Sequence, residues 1–264
     1  MSRPELVHGN TNRPGIVRLL ARRLIPRSSR QWLWAKSKAI CCKPPVGLVR
    51  FGGLRRLIPI SRQFGLDRGT PVDRYYIEQF LSAHALDIQG RVLEIGNDTY
   101  TRRFGGERVT HSDVLHVESS NPNATIVGDL TNADNLRSDF FDCIILTQTL
   151  QFIFDVRTAI RTLHRILKPG GVVLVTTSGI SQISRYDMDR WGHYWNLTSL
   201  SARLLFEEVF SSERIKVTTH GNILAVTAFL HGLAFQDLRQ KELDFRDPDY
   251  ELVITIRAVK TDTM

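Results

Sequence analysis

Residues 163–177 read LHRILKPGGVVLVTT, and this stretch decides the fold class. Apolar residues recur at helical spacing up to Leu167, and Pro169-Gly170-Gly171 is a typical helix stop. Gly171 to Thr177 is apolar or β-branched throughout, which is the pattern of a parallel strand buried on both faces. A helix that turns directly into such a strand predicts one unit of an α/β sheet.

Further strand and helix patterns surround this unit. Including residues 171–177, the predicted strands are 91–95, 108–114, 124–127, 141–146, 171–177, 215–219 and 252–259. Three residues have the side chains and positions of helix N-caps: Asp73 before the first strand, and Asp155 and Thr198 between later strands. Strands that alternate with helices at this spacing predict a doubly wound α/β fold with a mostly parallel sheet.

Charge divides the chain into a basic beginning and a mildly acidic body. Residues 1–70 hold 15 Lys and Arg against two acids, a net charge of +13, whereas the remaining 194 residues carry −5. We predict a basic, flexible extension over 1–45 and a helical lid or lead-in segment over 46–88. The sheet domain is expected over 89–260.

Three interpretations of the basic extension stay open. It can be a solvated tail, because arginine-rich segments punctuated by proline often lack a core. It can contact an anionic membrane surface, since apolar residues are interleaved with its arginines. It can bind the phosphates of a nucleic acid. An organelle transit peptide has the same composition.

Composition excludes several other classes. With 264 residues, 42% hydrophobic and 23% charged, the chain is an ordinary globular protein rather than a disordered or collagen-like one. Its three cysteines form an odd count, and no Cys and His cluster has zinc-site spacing. We therefore expect a cytoplasmic protein, at most peripheral to a membrane, without a structural metal.

The ends of the predicted strands carry polar residues that point to a ligand. In an open parallel sheet, ligands bind beyond the carboxyl ends of the strands. The first four strands end in Glu94-Ile95-Gly96, near Asp113, in Gly128-Asp129-Leu130 and in Thr147-Gln148. Carboxylates can accept hydrogen bonds from ribose hydroxyls and from an exocyclic amine. Three acids at one sheet edge therefore predict a nucleoside-bearing ligand.

Residues 91–210 resemble the class I S-adenosylmethionine-dependent methyltransferases. The family's acid-x-Gly-x-Gly-x-Gly loop aligns with residues 94–100, where Asp98 and Tyr100 replace the second and third glycines. The stretch 163–171 is similar to the family's helix and Lys-Pro-Gly-Gly turn before strand five. The resemblance implies a seven-stranded Rossmann-like methyltransferase fold.

The same resemblance implies S-adenosyl-L-methionine as the cofactor and gives roles to residues of this chain. Gly96 would approach its methionine part, and Thr147 and Gln148 would lie near the methionine and the sulfonium. Asp113 would bind the ribose, and Asp129 with Leu130 would bind the adenine. Two interpretations of the altered loop stay open: a rearranged loop in which Glu94 and Asp98 suit the cationic cofactor, or a degenerate site.

The sequence also indicates where the methyl acceptor binds. The loop over 178–196 is rich in polar side chains, and His193 is our candidate for a general base, against the alternative of a locally hydrogen-bonded histidine. No nucleobase-reading motif follows strand four. We therefore expect transfer to a small-molecule or glycan-type acceptor, on oxygen. The alternatives are an RNA methyltransferase that uses the basic extension, and a non-catalytic binding module.

Overall fold

The computed structural model describes residues 44, 48–50 and 52–261, and the chain divides into two units between Arg56 and Leu57. The first unit holds a short 3₁₀ turn over Gly52–Leu54. The basic extension 1–45 lies outside the described residues apart from Pro44, so its contact with a membrane or a nucleic acid stays a prediction.

The second unit is built on one seven-stranded sheet. Its strands are β1 Gly90–Ile95, β2 Val109–His116, β3 Ile126–Val127, β4 Phe141–Thr147, β5 Leu167–Ser178, β6 Ile215–His220 and β7 Val253–Val259. The strand order is β3-β2-β1-β4-β5-β7-β6, with β7 antiparallel to both of its neighbours and the other pairs parallel. The predicted doubly wound, mostly parallel fold is confirmed.

Six helices of this unit connect and cover the strands in the described part of the chain. They are α1 Val72–Ala83, α2 Val156–Ile166, α3 Arg185–Met188, α4 Ser199–Glu207, α5 Ile223–Leu230 and α6 Gln240–Asp244. Two of the three predicted N-caps are confirmed: the Asp155 carboxylate accepts from the backbone N–H of Thr158, and the Thr198 hydroxyl accepts from that of Ser201. The prediction at Asp73 is wrong, because α1 begins at Val72 and Asp73 lies in its first turn.

Two strands are longer than the sequence predicts. β5 begins at Leu167 instead of Gly171, because Leu167 already pairs with Phe141 of β4. β2 does not end near Asp113 but continues to His116, since its last two residues pair with β3. Pairing with a strand that is distant in sequence cannot be predicted from the local sequence pattern. Predictions from that pattern are therefore least accurate at the ends of strands.

Helices cover both faces of the sheet. One face packs its apolar side chains, Leu93 and Ile144 among them, against Ile160 of α2 and Phe206 of α4. The other face belongs to the core that includes α1 and α5, in which Ile77 is fully buried. The segment 72–83 is therefore a packing helix, and a lid function for 46–88 stays a prediction. Among the described residues, no helix has the length and apolarity needed to cross a bilayer.

Candidate functional site

A cavity of about 680 Å³ lies at the carboxyl ends of the parallel strands, and we call it the carboxyl-edge cavity. This is the position where open α/β sheets bind their ligands. Its walls come from the ends of β1, β2 and β3 and from the loops after β4 and β5. They are formed by Ile95, Gly96, Leu115, His116, Val117, Gly128, Asp129, Leu130, Thr131, Gln148, Thr149, Phe152, Ile153, Phe154, Asp155, Asp187, Trp191 and Tyr194.

Gly96 gives a ligand direct access to the backbone after β1. Its φ is +85°, in the region that favours glycine, and a Cβ atom there would meet no protein atom within 4 Å. The Asn121 side-chain amide donates to the Gly96 carbonyl at 2.7 Å and fixes the peptide. The predicted position of Gly96 beside the ligand is consistent with this open wall.

Glu94 holds the loop instead of facing the cavity. Its buried carboxylate accepts from the backbone N–H groups of Tyr100 and Thr101, at 3.2 and 2.7 Å. Burial raises the pKa of Glu94, while these hydrogen bonds act in the opposite direction. Glu94 thus stabilises the altered glycine loop from the side away from the cavity. This differs from the predicted interaction of its carboxylate with the cationic ligand.

Tyr100 does not fill the cleft. Its ring packs against Phe104 at 6.0 Å between centroids, and its hydroxyl accepts from the Arg74 guanidinium at 3.3 Å. Tyr100 therefore belongs to the core that includes α1, and the carboxyl-edge cavity stays open beside Gly96.

Asp113 lies three residues before the end of β2 and does not line the cavity. Its carboxylate accepts from the Arg91 guanidinium at 2.7 Å. In the register of the sheet, Asp113 is paired with Leu93 and Glu94 with Val114, so the two acids point to opposite faces. The expected convergence of three acids is wrong. His116 and Val117 occupy the position that was assigned to Asp113.

Two other predicted site residues lie outside the cavity walls. The Asp98 carboxylate accepts from the Arg102 guanidinium at 2.6 Å and from the Ser112 hydroxyl at 3.3 Å. Thr147 is the last residue of β4 and pairs with Thr176. Their predicted contacts with the cofactor thus have no support in the geometry.

Asp129 and Leu130 do line the cavity, directly after β3. One oxygen of Asp129 accepts from the backbone N–H of Thr131 at 2.8 Å, which orients the carboxylate. Leu130 is buried and supplies an apolar wall beside it. This pair offers an acceptor and a flat apolar surface, as an adenine ring requires.

Gln148 is held in an unusual conformation at the end of β4. It has a φ of +48°, uncommon for a residue other than glycine, and such positions cluster at functional sites. Gln151 donates to the Gln148 side-chain oxygen at 2.9 Å. This bond fixes the amide, and its Nε2 is buried without a hydrogen-bond partner among the described residues.

Trp191 supplies a second buried donor without a partner in the described part of the chain, its indole Nε1. Its ring packs edge-to-face on His116 at 6.1 Å between centroids. Neither His116 nor Trp191 is among the predicted site residues. The apolar run Val114 to Val117 is a signal that β2 continues to the cavity, and a tryptophan in a polar loop is a signal for Trp191.

His193 lies behind the cavity wall, edge-to-face on Phe152 at 5.2 Å between centroids. The backbone N–H of Ser184 donates to its Nδ1 at 3.4 Å, which places the proton of a neutral imidazole on Nε2. That Nε2 is buried and has no partner among the described residues. In this arrangement His193 is a donor, and to act as a base it must give up the Ser184 contact.

These residues fit an adenosine-bearing cation. Buried donors without partners cost free energy unless a ligand accepts from them, and two of them, Gln148 Nε2 and Trp191 Nε1, belong to residues that line this cavity. Asp129, Asp155 and Asp187 add three carboxylates, whereas none of the described wall residues is Lys or Arg. Such a wall suits a sulfonium and an ammonium and disfavours a polyphosphate.

A second cavity, of about 740 Å³, lies at the amino ends of the strands, and we call it the amino-edge cavity. The Arg257 guanidinium binds both oxygens of Asp87 at 2.7 and 2.8 Å, and the Lys168 amine binds Asp142 at 2.8 Å. Glu213 lies on its exposed rim. None of the buried polar atoms without a partner in the described chain belongs to its walls.

A family model described as "Methyltransferase domain" matches residues 74–175. This match spans α1, the first four strands and most of β5, and thus most of the walls of the carboxyl-edge cavity. The curated proteins contain no match to this chain.

Solved structures similar to this chain include the following three. YcgJ from Bacillus subtilis is 13% identical, with a TM-score of 0.43, and covers 70% of this chain and 100% of its own. A SAM dependent methyltransferase from Archaeoglobus fulgidus is 12% identical, with a TM-score of 0.45 and coverage of 71% and 90%. The N-methyltransferase NodS from Bradyrhizobium japonicum WM9 is 16% identical, with a TM-score of 0.46 and coverage of 72% and 97%. These similarities are too remote to carry a function to this chain.

Proposed function

We propose that this chain, whose residues 74–175 match a methyltransferase domain model, is a class I S-adenosylmethionine-dependent methyltransferase that transfers the methyl group to an oxygen of a small-molecule or glycan-type acceptor. The observation that carries this proposal is the carboxyl-edge cavity, with two buried donors that lack partners among the described residues. Binding sites are where a folded chain keeps such groups.

Four elements of the wall would hold the cofactor. Asp129 and Leu130 would bind the adenine, and His116 with Val117 would border the ribose. Gly96 would let the methionine part approach the backbone, and the Gln148 amide would donate to it. When bound, S-adenosylmethionine supplies an electrophilic methyl group, so that a C–O bond forms as the C–S bond breaks and the acceptor hydroxyl loses its proton.

The chain's own contribution is to position the acceptor and to take up that proton. Much of the rate of an in-line transfer comes from placement. Asp187 lines the cavity, and one of its oxygens accepts from the Ser184 hydroxyl at 2.5 Å. His193 follows on the same loop. We propose His193 as the general base, which would give up its Ser184 contact to accept the proton.

Calorimetry with S-adenosylmethionine and S-adenosylhomocysteine tests the binding part of this proposal. We expect both ligands to bind the full chain and to raise its melting temperature. The variant Glu213→Ala, on the rim of the amino-edge cavity, should bind like the wild type. If millimolar ligand produces no heat of binding and no shift of the melting temperature, the proposal is refuted, and the alternative of a non-catalytic module is favoured.

The role of His193 needs an activity. With a methyl-labelled cofactor and any acceptor that is found to be methylated, we expect His193→Ala to lower kcat by about a hundredfold. The cofactor affinity should not change. A kcat within a few-fold of wild type would exclude His193 as the base.

A further inference from the structure

Three aromatic side chains stand together at the mouth of the carboxyl-edge cavity, and we call them the aromatic shelf: Phe154, Tyr194 and Trp195. Phe154 lies on the loop after β4, and the other two lie on the loop after β5. Phe154 and Tyr194 are part of the cavity wall. The shelf therefore adjoins the space that the proposed cofactor would enter, on its solvent side.

The shelf is exposed although its rings pack on one another. The exposed fractions are 71% for Phe154, 47% for Tyr194 and 37% for Trp195. The Phe154 ring is 5.4 Å from that of Tyr194, edge-to-face, and 6.2 Å from that of Trp195, at an angle of 22°. A contiguous apolar surface that water reaches is a marker of a binding site, unlike a single exposed apolar residue.

Hydrogen bonds hold the shelf in place. The backbone N–H groups of Tyr194 and Trp195 both donate to the Gln151 carbonyl, at 2.8 and 3.3 Å. The Trp195 indole N–H donates to the Ile153 carbonyl at 3.0 Å. The polar edge of the indole is therefore used within the protein. Rings fixed in this way lose little conformational entropy when a ligand binds.

The charge around the shelf selects the kind of ligand. The neighbouring wall carries Asp155 and Asp187, and no Lys or Arg contributes to the walls in the described part of the chain. Between β5 and α4, Arg190 is engaged: its guanidinium lies 3.6 Å from the Tyr186 ring centroid and donates to the Tyr186 carbonyl. Arg185 is exposed and does not line the cavity. Phosphates or carboxylates on an acceptor would therefore meet carboxylates without a compensating cation.

We propose that the aromatic shelf binds the apolar face of a sugar ring in a neutral glycan acceptor. This inference rests on the proposed function. The flat rings match the C–H face of a pyranose, and the carboxylate of Asp187 can accept from its hydroxyls. A nucleic acid also stacks on aromatic rings, but its phosphates would face the acidic wall.

The test uses the full chain saturated with S-adenosylhomocysteine. The probes are the neutral oligosaccharides maltopentaose, cellopentaose, mannopentaose and xylopentaose, with an oligogalacturonate and a short oligouridine as anionic probes. Quenching of tryptophan fluorescence and calorimetry report binding. We expect at least one neutral oligosaccharide to bind at millimolar concentration, and both anionic probes to bind more weakly.

Variants assign the binding to the shelf. Phe154→Ala and Trp195→Ala should each weaken the oligosaccharide by about tenfold or more. Trp195→Ala, at a residue outside the cavity wall, should also leave the affinity for S-adenosylhomocysteine unchanged. Phe245→Ala is the matched control, because Phe245 is 65% exposed but does not line the cavity. It should behave like the wild type.

Three results would overturn the inference: no neutral oligosaccharide binds, an anionic probe binds as well as the best neutral one, or the shelf variants bind like Phe245→Ala. If the wild type does not bind S-adenosylhomocysteine at all, the proposed function itself is refuted, which is a separate outcome.

Discussion

The two edges of the sheet carry cavities of similar size but of opposite character. At the amino edge, in a cavity of about 740 Å³, carboxylates are matched by cations, as in the pairs of Asp87 with Arg257 and Asp142 with Lys168. At the carboxyl edge, in about 680 Å³, the donors of Gln148 and Trp191 lack partners among the described residues. The amino-edge cavity is slightly larger, but the unsatisfied polar groups and the exposed aromatic rings lie at the carboxyl edge, where we propose that the ligand binds.

The largest expected effect comes from closing the open wall at Gly96. In Gly96→Val, a branched side chain would enter the cavity from a backbone with φ of +85°. We expect the affinity for S-adenosylhomocysteine to fall by about a hundredfold or more in calorimetry. Gly96→Ala should show a smaller loss, and it serves if the valine variant does not fold.

Gly106→Val is the control for backbone strain. Gly106 also has a positive φ, of +56°, and open space around its Cβ position, but it does not line the cavity. It should lower the melting temperature without changing the affinity. Equal losses of affinity in the two valine variants would show that strain, and not occupancy of the cavity, is responsible.

A smaller effect should separate two acids that the sequence treats alike. Asp129→Ala should weaken S-adenosylmethionine and S-adenosylhomocysteine equally, by about tenfold, since both carry the adenosine. Asp113→Ala should instead lower the free energy of unfolding by about 1–3 kcal/mol, because it removes the partner of Arg91. Urea denaturation and calorimetry measure the two quantities. The reverse pattern would restore Asp113 to the ligand site.

The smallest effect concerns a half-buried histidine, His220, whose Nε2 has a hydrogen-bond partner. His220 shares a hydrogen bond of 3.1 Å with the Thr255 hydroxyl, and burial, with Arg246 nearby, lowers its pKa to about 4. In the unfolded chain its pKa is about 6.5, so as the pH falls below that value the unfolded state takes up a proton that the folded state does not.

The contribution of His220 to the free energy of unfolding is therefore fully present well above pH 6.5 and is lost as the pH falls toward 4. The loss is roughly 1 kcal/mol between pH 6.5 and 5.5. Urea denaturation of the wild type and of His220→Gln measures this slope, which the variant should reduce. Parallel curves for the two proteins would mean that His220 does not contribute. Cofactor affinity should not differ between them.

The sequence predicts the sheet well, because the patterns that indicate its strands and the adjoining helix caps involve residues that are close together in the chain. The buried strand after Gly170, the cap at Asp155 and the cap at Thr198 each depend on neighbours in the chain, and the structure confirms all three. Gly96 and Asp129 also lie where strand ends place them, on the cavity wall.

The parts that the sequence misses depend on distant partners. Pairing with β3 sets the end of β2, and the Asp113 carboxylate binds the guanidinium of Arg91, 22 residues away in sequence. The strand register sends Glu94 and Asp113 to opposite faces, which a reading of strand ends alone overlooks. The partnerless amide of Gln148 depends on Gln151 and on a backbone conformation that no motif encodes.

A crystal structure of the full chain soaked with S-adenosylhomocysteine tests the central claim most directly. We predict the ligand in the carboxyl-edge cavity, against Gly96 and Asp129, with an acceptor atom within hydrogen-bond distance of Gln148 Nε2. Density for the ligand at the amino edge, or an empty carboxyl edge in crystals of a protein that binds it in solution, would contradict the account.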